Sequence, residues 1–164
     1  MVPKLLFDLT RLDLQKIEVP IEEIRKINPH RYEFEQLSGV YRLIPEEGII
    51  VGFKDVRSDE FWVRGHIPGH PLMPGVLIIE AAAQLASVYK GIVLPTEGFF
   101  GFGCIDEVRF RAAVRPGDRL ILIGKAVQVH VRRSIFQAQA VVGDKIVFEA
   151  TITGVNISKE KLDA

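Results

Sequence analysis

The chain has 164 residues, 48% hydrophobic and 26% charged, which fits one soluble globular domain with a sizeable core. Twenty-one basic residues balance twenty-one acidic ones, so no global electrostatic footprint for nucleic acid or an anionic membrane surface is present. Cys104 is the only cysteine, which excludes an intrachain disulfide and a four-cysteine metal site.

The opening MVPKLLFDLTRLD carries Leu5, Leu6 and Phe7 but is broken by Asp8, Arg11 and Asp13, so no signal-peptide core is expected. Its mixed patterning predicts a loose arm over 1–19, followed by a single domain over 20–164. Pro20 opens a short helix in which Ile21, Ile24 and Ile27 recur every three residues, with Glu22 and Glu23 in the dipole-favoured first turn. Asn28-Pro29 ends it. A strand over 39–44, a turn at Pro45-Glu46-Glu47-Gly48 and a strand over 49–56 read as a hairpin.

A loop stiffened by Pro68, Pro71 and Pro74 follows, and then the only long helical run, 75–92. It is apolar on nearly every face, which predicts burial all round, and Ala81, Ala82 and Ala83 leave room for a sheet to approach. The apolar stretch 72–85 is interrupted by Glu80 and Gln84 and is too short to span a bilayer, so the expected address is the cytoplasm. Beyond Gly98 the pattern is β-rich, with strands over 102–112, 119–131, 134–142 and 145–157 separated in part by Arg115-Pro116-Gly117-Asp118 and Gly143-Asp144-Lys145. One buried helix with five or six mostly antiparallel strands predicts an α+β fold, a sheet wrapped around a helix. A sheet left half exposed calls for a partner subunit.

The block 65–84, GHIPGHPLMPGVLIIEAAAQ, concentrates the chemistry. Glu80 and Gln84 lie one helical turn apart and can hydrogen-bond. One reading makes Glu80 a structural acid satisfied by a backbone group or an arginine. In the other, its apolar setting raises its pKa and keeps it a neutral proton donor, suited to protonating a leaving hydroxyl. His66 sits nine residues before Gly75, where the helix begins with free N–H groups and no side chain to block a carbonyl oxygen. Base, acid and oxyanion donor thus occur together.

Other residues carry less. His66 and His70 are spaced as helical metal ligands, but Pro68 and Gly69 oppose a helix there, and no metal is expected. Gly98, Gly101 and Gly103 read as strand glycines that open space for a chain-like ligand. His30 and His130 lack partners in the sequence and read as structural or exposed, and Cys104 reads as a small core residue. Phe99, Phe100, Phe102 and Phe110 read mostly as core, with one or two lining an acyl tunnel. Arg109 and Arg111 share a strand face and, clustered with Arg132 and Arg133, form either a solvated face with local ion pairs or a dock for an acidic carrier or phosphorylated arm.

Together with 28–32 (NPHRY), 103–110 (GCIDEVRF), 114–118 (VRPGD) and 148–151 (FEAT), this block resembles the FabZ-type 3-hydroxyacyl-(acyl-carrier-protein) dehydratases, a hot-dog-fold family, over about residues 20–158. The resemblance implies a (3R)-hydroxyacyl-(acyl-carrier-protein) dehydratase of fatty acid biosynthesis that yields a trans-2-enoyl thioester. It implies His66 as catalytic base, Glu80 as acid and the Gly75 N–H as the group polarising the thioester carbonyl. It further implies a homodimer, often a trimer of dimers, in which His66 of one subunit faces Glu80 of the other. The expected substrate-binding residues are Gly75, Val76, Gln84, Phe100 and Phe102. The expected docking residues for acyl carrier protein are Arg109, Arg111, Arg132 and Arg133, and no cofactor is implied.

Glu80, where isomerising relatives carry aspartate, implies simple dehydration. The chain departs from the family pattern at Ile67, at Arg64, over 33–38 (EFEQLS) and in its longer arm before Pro20. The rivals are a thioesterase or specialised-pathway dehydratase on the same fold, and a non-catalytic acyl-thioester-binding module.

Overall fold

A computed structural model describes residues 4–158. In chain order the elements are β1 (Val19–Pro20), α1 (Ile21–Ile27), β2 (Gly39–Ile44), β3 (Ile49–Asp55), α2 (Gly75–Val93), β4 (Phe99–Phe110), β5 (Arg119–Val129), β6 (Arg133–Val142) and β7 (Lys145–Ile157). The strands form one antiparallel sheet in the order β1-β2-β3-β5-β6-β7-β4, curled around α2. This is the wrapped-helix arrangement expected. The chain crosses the sheet twice, since β4 joins the far edge beside β7 before β5 returns to β3.

The largest differences from expectation are at β1 and at the start of β4, the other strand ends falling within two residues of it. β1 was not signalled by the sequence; it is two residues long and pairs only Val19 with Val40 and Pro20 with Gly39. β4 starts three residues early, because Gly98 turns the chain at φ 94° and lets Phe99 pair with Ile157 at once. Two irregularities then bend β4, between Phe102 and Cys104 and between Asp106 and Arg109. Glu107 at the second has φ 54°.

Helix α2 seats against the sheet through Ala81, Ala82, Leu85, Ala86 and Val88, all buried. Gly52 on β3 permits the approach, since a Cβ there would lie 2.7 Å from the Leu85 side chain. Burial is not complete all round, as the uniform apolarity had predicted. It is continuous only from Gln84 to Lys90, whereas Val76 is 69% exposed and Leu77, Ile79, Glu80 and Ala83 are half-buried. The sheet covers one side of the N-terminal half and leaves the other open. By length and apolarity the 19-residue helix is enough to cross a bilayer, contrary to the shorter apolar run read from the sequence. Its apolarity is used in the core instead.

The first residues described are not loose. Period-two alternation leaves Ile49, Val51, Ile123 and Val141 apolar on the sheet face away from α2, and Phe7, Leu5, Leu6, Leu9 and Leu12 cover them. Gln139 accepts from the Leu6 N–H at 2.8 Å and donates to the Lys4 carbonyl, and Arg11 grips Glu47 through two hydrogen bonds.

Candidate active site

The loop before α2 is anchored at both ends. Trp62 is buried, its carbonyl accepts from the Gly65 and His66 N–H groups, and Met73 donates to Val114 at 2.8 Å. Upstream, the buried pair Lys54–Glu60 (2.8 Å) ties β3 to the turn that carries Trp62. Ile67 at φ 59° and Gly69 at φ 83° reverse the chain, and His66 is left exposed. Its Nδ1 lies 2.8 Å from the Leu72 carbonyl. A carbonyl only accepts, so Nδ1 carries a hydrogen, and Nε2 is the nitrogen turned to the outside.

Helix α2 begins at Gly75 without a side-chain cap. Among the described residues the Gly75 and Val76 N–H groups have no partner, as predicted, whereas the Leu77 N–H donates to the Pro74 carbonyl. The ring of Phe110 occupies the space a Gly75 side chain would need, with a Cβ falling 2.7 Å from it. A side chain at this position would require the Phe110 ring to shift. Val76, next to it, is exposed.

Glu80 faces the open side of α2. Its Oε1 accepts from Gln84 Nε2 at 2.7 Å, the pairing expected from their spacing, and lies 3.2 Å from His30 Nε2. Gln84 is buried and does more. Its Nε2 also donates to the Phe34 carbonyl at 2.7 Å, its Oε1 accepts from the Gln36 N–H at 3.0 Å, and its own carbonyl accepts from Asn28 Nδ2. The 33–38 segment is thus pinned to the helix one turn from Glu80.

His30 corrects the sequence-based expectation, which gave it no partner. Nothing in the local sequence signals the contact, because α1 and α2 bring His30 and Glu80 together across fifty residues. The expected raised pKa of Glu80 is also corrected. Burial pushes the carboxyl up, but hydrogen bonds from His30 and Gln84 and the attraction of the His30 ring outweigh it, leaving Glu80 below its ordinary value.

Among the described residues, His66 and Glu80 are not hydrogen-bonded within one protomer; His66 turns to Leu72 and Glu80 to His30 and Gln84. Phe100 is half-buried against the core, and its ring fills the place of a Gly154 side chain. Phe102 and Phe110 are 47% and 52% exposed, so the aromatic residues of β4 are less of a core than predicted, since β4 is a sheet edge. Cys104 is exposed too, its thiol raised by a hydrogen bond to Asp106. Arg109 and Arg111 line one groove of about 300 Å3 with Lys4, Glu107, Gln139 and Glu149. Arg111 is paired with Glu149 at 2.5 Å. Arg132 and Arg133 do not join them. Arg109 sits opposite Glu149 and Arg133 opposite Val155, six residues along β7 or about 20 Å.

Residues 28–151 match the FabA-like domain family. The chain is 38% identical over 147 residues to the 3-hydroxyacyl-(acyl-carrier-protein) dehydratase FabZ of Geobacter metallireducens, covering 87% of this chain and 96% of that protein. It is 42% identical over 137 residues to the FabZ of Clostridium botulinum, covering 80% and 92%. Among solved structures, the dehydratase heterocomplex ApeI:P of Xenorhabdus doucetiae shares the fold with a TM-score of 0.73 at 15% identity, covering 85% of this chain and 94% of that one. A virulence protein of Campylobacter jejuni does so with a TM-score of 0.64 at 14% identity, covering 87% and 93%. The fold is that of the hot-dog proteins, and the site is built on a histidine loop leading into an acid-bearing central helix. The chain belongs to the FabA-like family, within its FabZ-type dehydratases.

Proposed function

We propose that the chain, as a homodimer, is a (3R)-hydroxyacyl-(acyl-carrier-protein) dehydratase, a hydro-lyase that forms trans-2-enoyl thioesters for fatty acid biosynthesis. The observation that carries the mechanism is the His66 ring, with Nδ1 committed to Leu72 and Nε2 left as a base, on the loop that leads straight into an uncapped helix N-terminus. His66 Nε2 takes the proton from the carbon beside the thioester carbonyl. The electron pair moves onto the carbonyl oxygen, where the Gly75 N–H and the helix dipole stabilise it; a donor of this kind contributes roughly 100- to 1000-fold. As the enolate collapses, the 3-hydroxyl leaves with a proton from Glu80 as water.

Two features support placing the acid and the base on different subunits. The open side of α2 exposes Glu80 and Val76, and the free edge of β4 carries Phe102, Val108 and Phe110, all more than a third exposed. Val76 and Gln84 border the reacting centre, Phe100 and Phe102 receive the acyl chain, and the groove with Arg109 and Arg111 offers a positive rim to an acidic carrier protein. The carrier-docking role of Arg132 and Arg133 would be a separate contact. The folded enzyme takes in the segment from Lys4 that covers the outer sheet face, and a cytoplasmic site of action fits this chemistry.

The test is Glu80→Gln assayed with 3-hydroxyacyl carrier thioester. Appearance of conjugated thioester absorbance should fall more than 1000-fold, with circular dichroism and dimer mass unchanged. Normal turnover in that variant, or release of free acid and thiol by the wild type, would end the proposal.

A further inference from the structure

Glu80 meets two requirements that conflict. It must be neutral to protonate a leaving hydroxyl, yet its hydrogen bonds from His30 and Gln84 favour the carboxylate. The structure offers a way out in the surroundings of His30. Nδ1 of His30 and Oδ1 of Asn28 are both buried without a hydrogen-bond partner among the described residues. The Asn28 amide is oriented by its Nδ2, which donates to the Gln84 carbonyl at 3.0 Å, so Oδ1 is left as an acceptor. Asn28, His30 and Gln84 line a cavity of about 10 Å3 together with apolar Ile21, Ile24 and Leu37 and the ion pair Arg25–Glu35. That is room for about one water molecule, with polar partners to hold it.

We propose that His30 and Glu80 hold the acid proton of the reaction jointly, with one internal water between His30 Nδ1 and Asn28 Oδ1 feeding it, so that His30 is the positioning residue and proton reservoir for Glu80. In the resting pair, His30 Nε2–H donates to the Glu80 carboxylate and Nδ1 accepts from the water. When a proton arrives from solvent through that water, the Nδ1–H bond forms. The Nε2–H bond breaks as an O–H bond forms on Glu80. Glu80 is then a neutral acid, and the Nδ1–H donates through the water to Asn28. Each turnover takes one proton from solvent at this end, and His66 returns the one it removed from carbon, so the reaction balances.

The other charged groups near the pair are accounted for. Arg25 of α1 is bound to Glu35 at 2.8 Å, and the Arg31 guanidinium donates to the carbonyls of Arg25, Asn28 and His30. β4 presents the Phe99 ring, 6.3 Å from that of His30. Neither a free acid nor a free base of the protomer competes for the proton among these neighbours.

The inference rests on Glu80 being the acid of the dehydratase, and the test separates the two. His30→Gln keeps an amide N–H to donate to Glu80 but cannot carry a proton. An imidazole holds a proton to about two pH units above a carboxyl. In His30→Gln the alkaline limb of kcat should therefore move down by about two pH units, with kcat at pH 7.5 falling about 100-fold and KM little changed. A limb that stays in place while kcat falls equally at every pH means that His30 only packs against Glu80, and the proposal fails. Activity in Glu80→Gln would instead overturn the acid assignment itself. Should His30→Gln not fold, 15N NMR of the wild-type dimer decides: ring nitrogens of His30 that titrate in step with the alkaline limb support the relay, and a ring silent across that limb refutes it.

Discussion

Phe7→Ala tests whether the N-terminal segment is part of the folded domain. The ring is only 4% exposed and packs in a cluster with Ile44, Ile49, Val51, Ile123 and Val141 on the sheet face away from α2. Removing it forfeits about 2–3 kcal/mol of transfer free energy. The segment is held on either side of Phe7 by the Leu6–Gln139 and Arg11–Glu47 hydrogen bonds, so it collapses only partly into the gap. The residual cavity adds about 1 kcal/mol, for a total of about 3–4 kcal/mol. The assay is urea unfolding at one fixed protein concentration, so that dimer dissociation does not enter the comparison. The dehydration rate of the folded variant should be unchanged, because Phe7 lies on the face of the sheet opposite α2. A loss below about 1 kcal/mol would show that the segment contributes no more than an ordinary surface contact, and the packing argument would be wrong.

Lys54→Met leaves Glu60 buried and unpaired, since both side chains of that pair are under 10% exposed, and should cost about 3–5 kcal/mol in the same unfolding assay. Lys54→Met combined with Glu60→Leu should recover most of it; a double variant as unstable as the single would argue against charge burial as the cause. Glu80 sets a pH signature. Its folded pKa lies below the ordinary carboxylate value, so its ionisation stabilises the fold above the unfolded pKa of about 4.3 and that contribution is lost as pH falls through the lower folded value. The stability difference between wild type and Glu80→Gln should shift against the wild type as pH falls below about 4; no such shift between about pH 4 and 3 would contradict the direction.

Much of the site was legible because its parts are close in sequence. The Pro/Gly loop, the uncapped start at Gly75 and the Glu80–Gln84 pair all lie within twenty residues, and local geometry fixes their relations. The strands β5, β6 and β7 were legible for the same reason, through alternation and turn residues. What failed were statements about surroundings. Apolar neighbours along α2 do push the Glu80 carboxyl up by burial, but the net direction is the opposite, since His30 arrives from a different element. The arginines of 109–111 and 132–133 look like one basic group on paper, yet the strand register separates them by about half the length of β7.

Alternation, turn residues and the loop-helix block by themselves determined most of the elements and the wrapped sheet, and singled out His66 and Glu80 as the candidate base and acid. Only the tertiary structure decided what surrounds those groups: the tautomer of His66, the two donors on Glu80, the cover that Phe7 gives the outer sheet and the exposure of β4. The physical reason is range. Backbone preference and side-chain period act over a few residues, whereas hydrogen bonding and desolvation depend on atoms that meet only when distant segments pack.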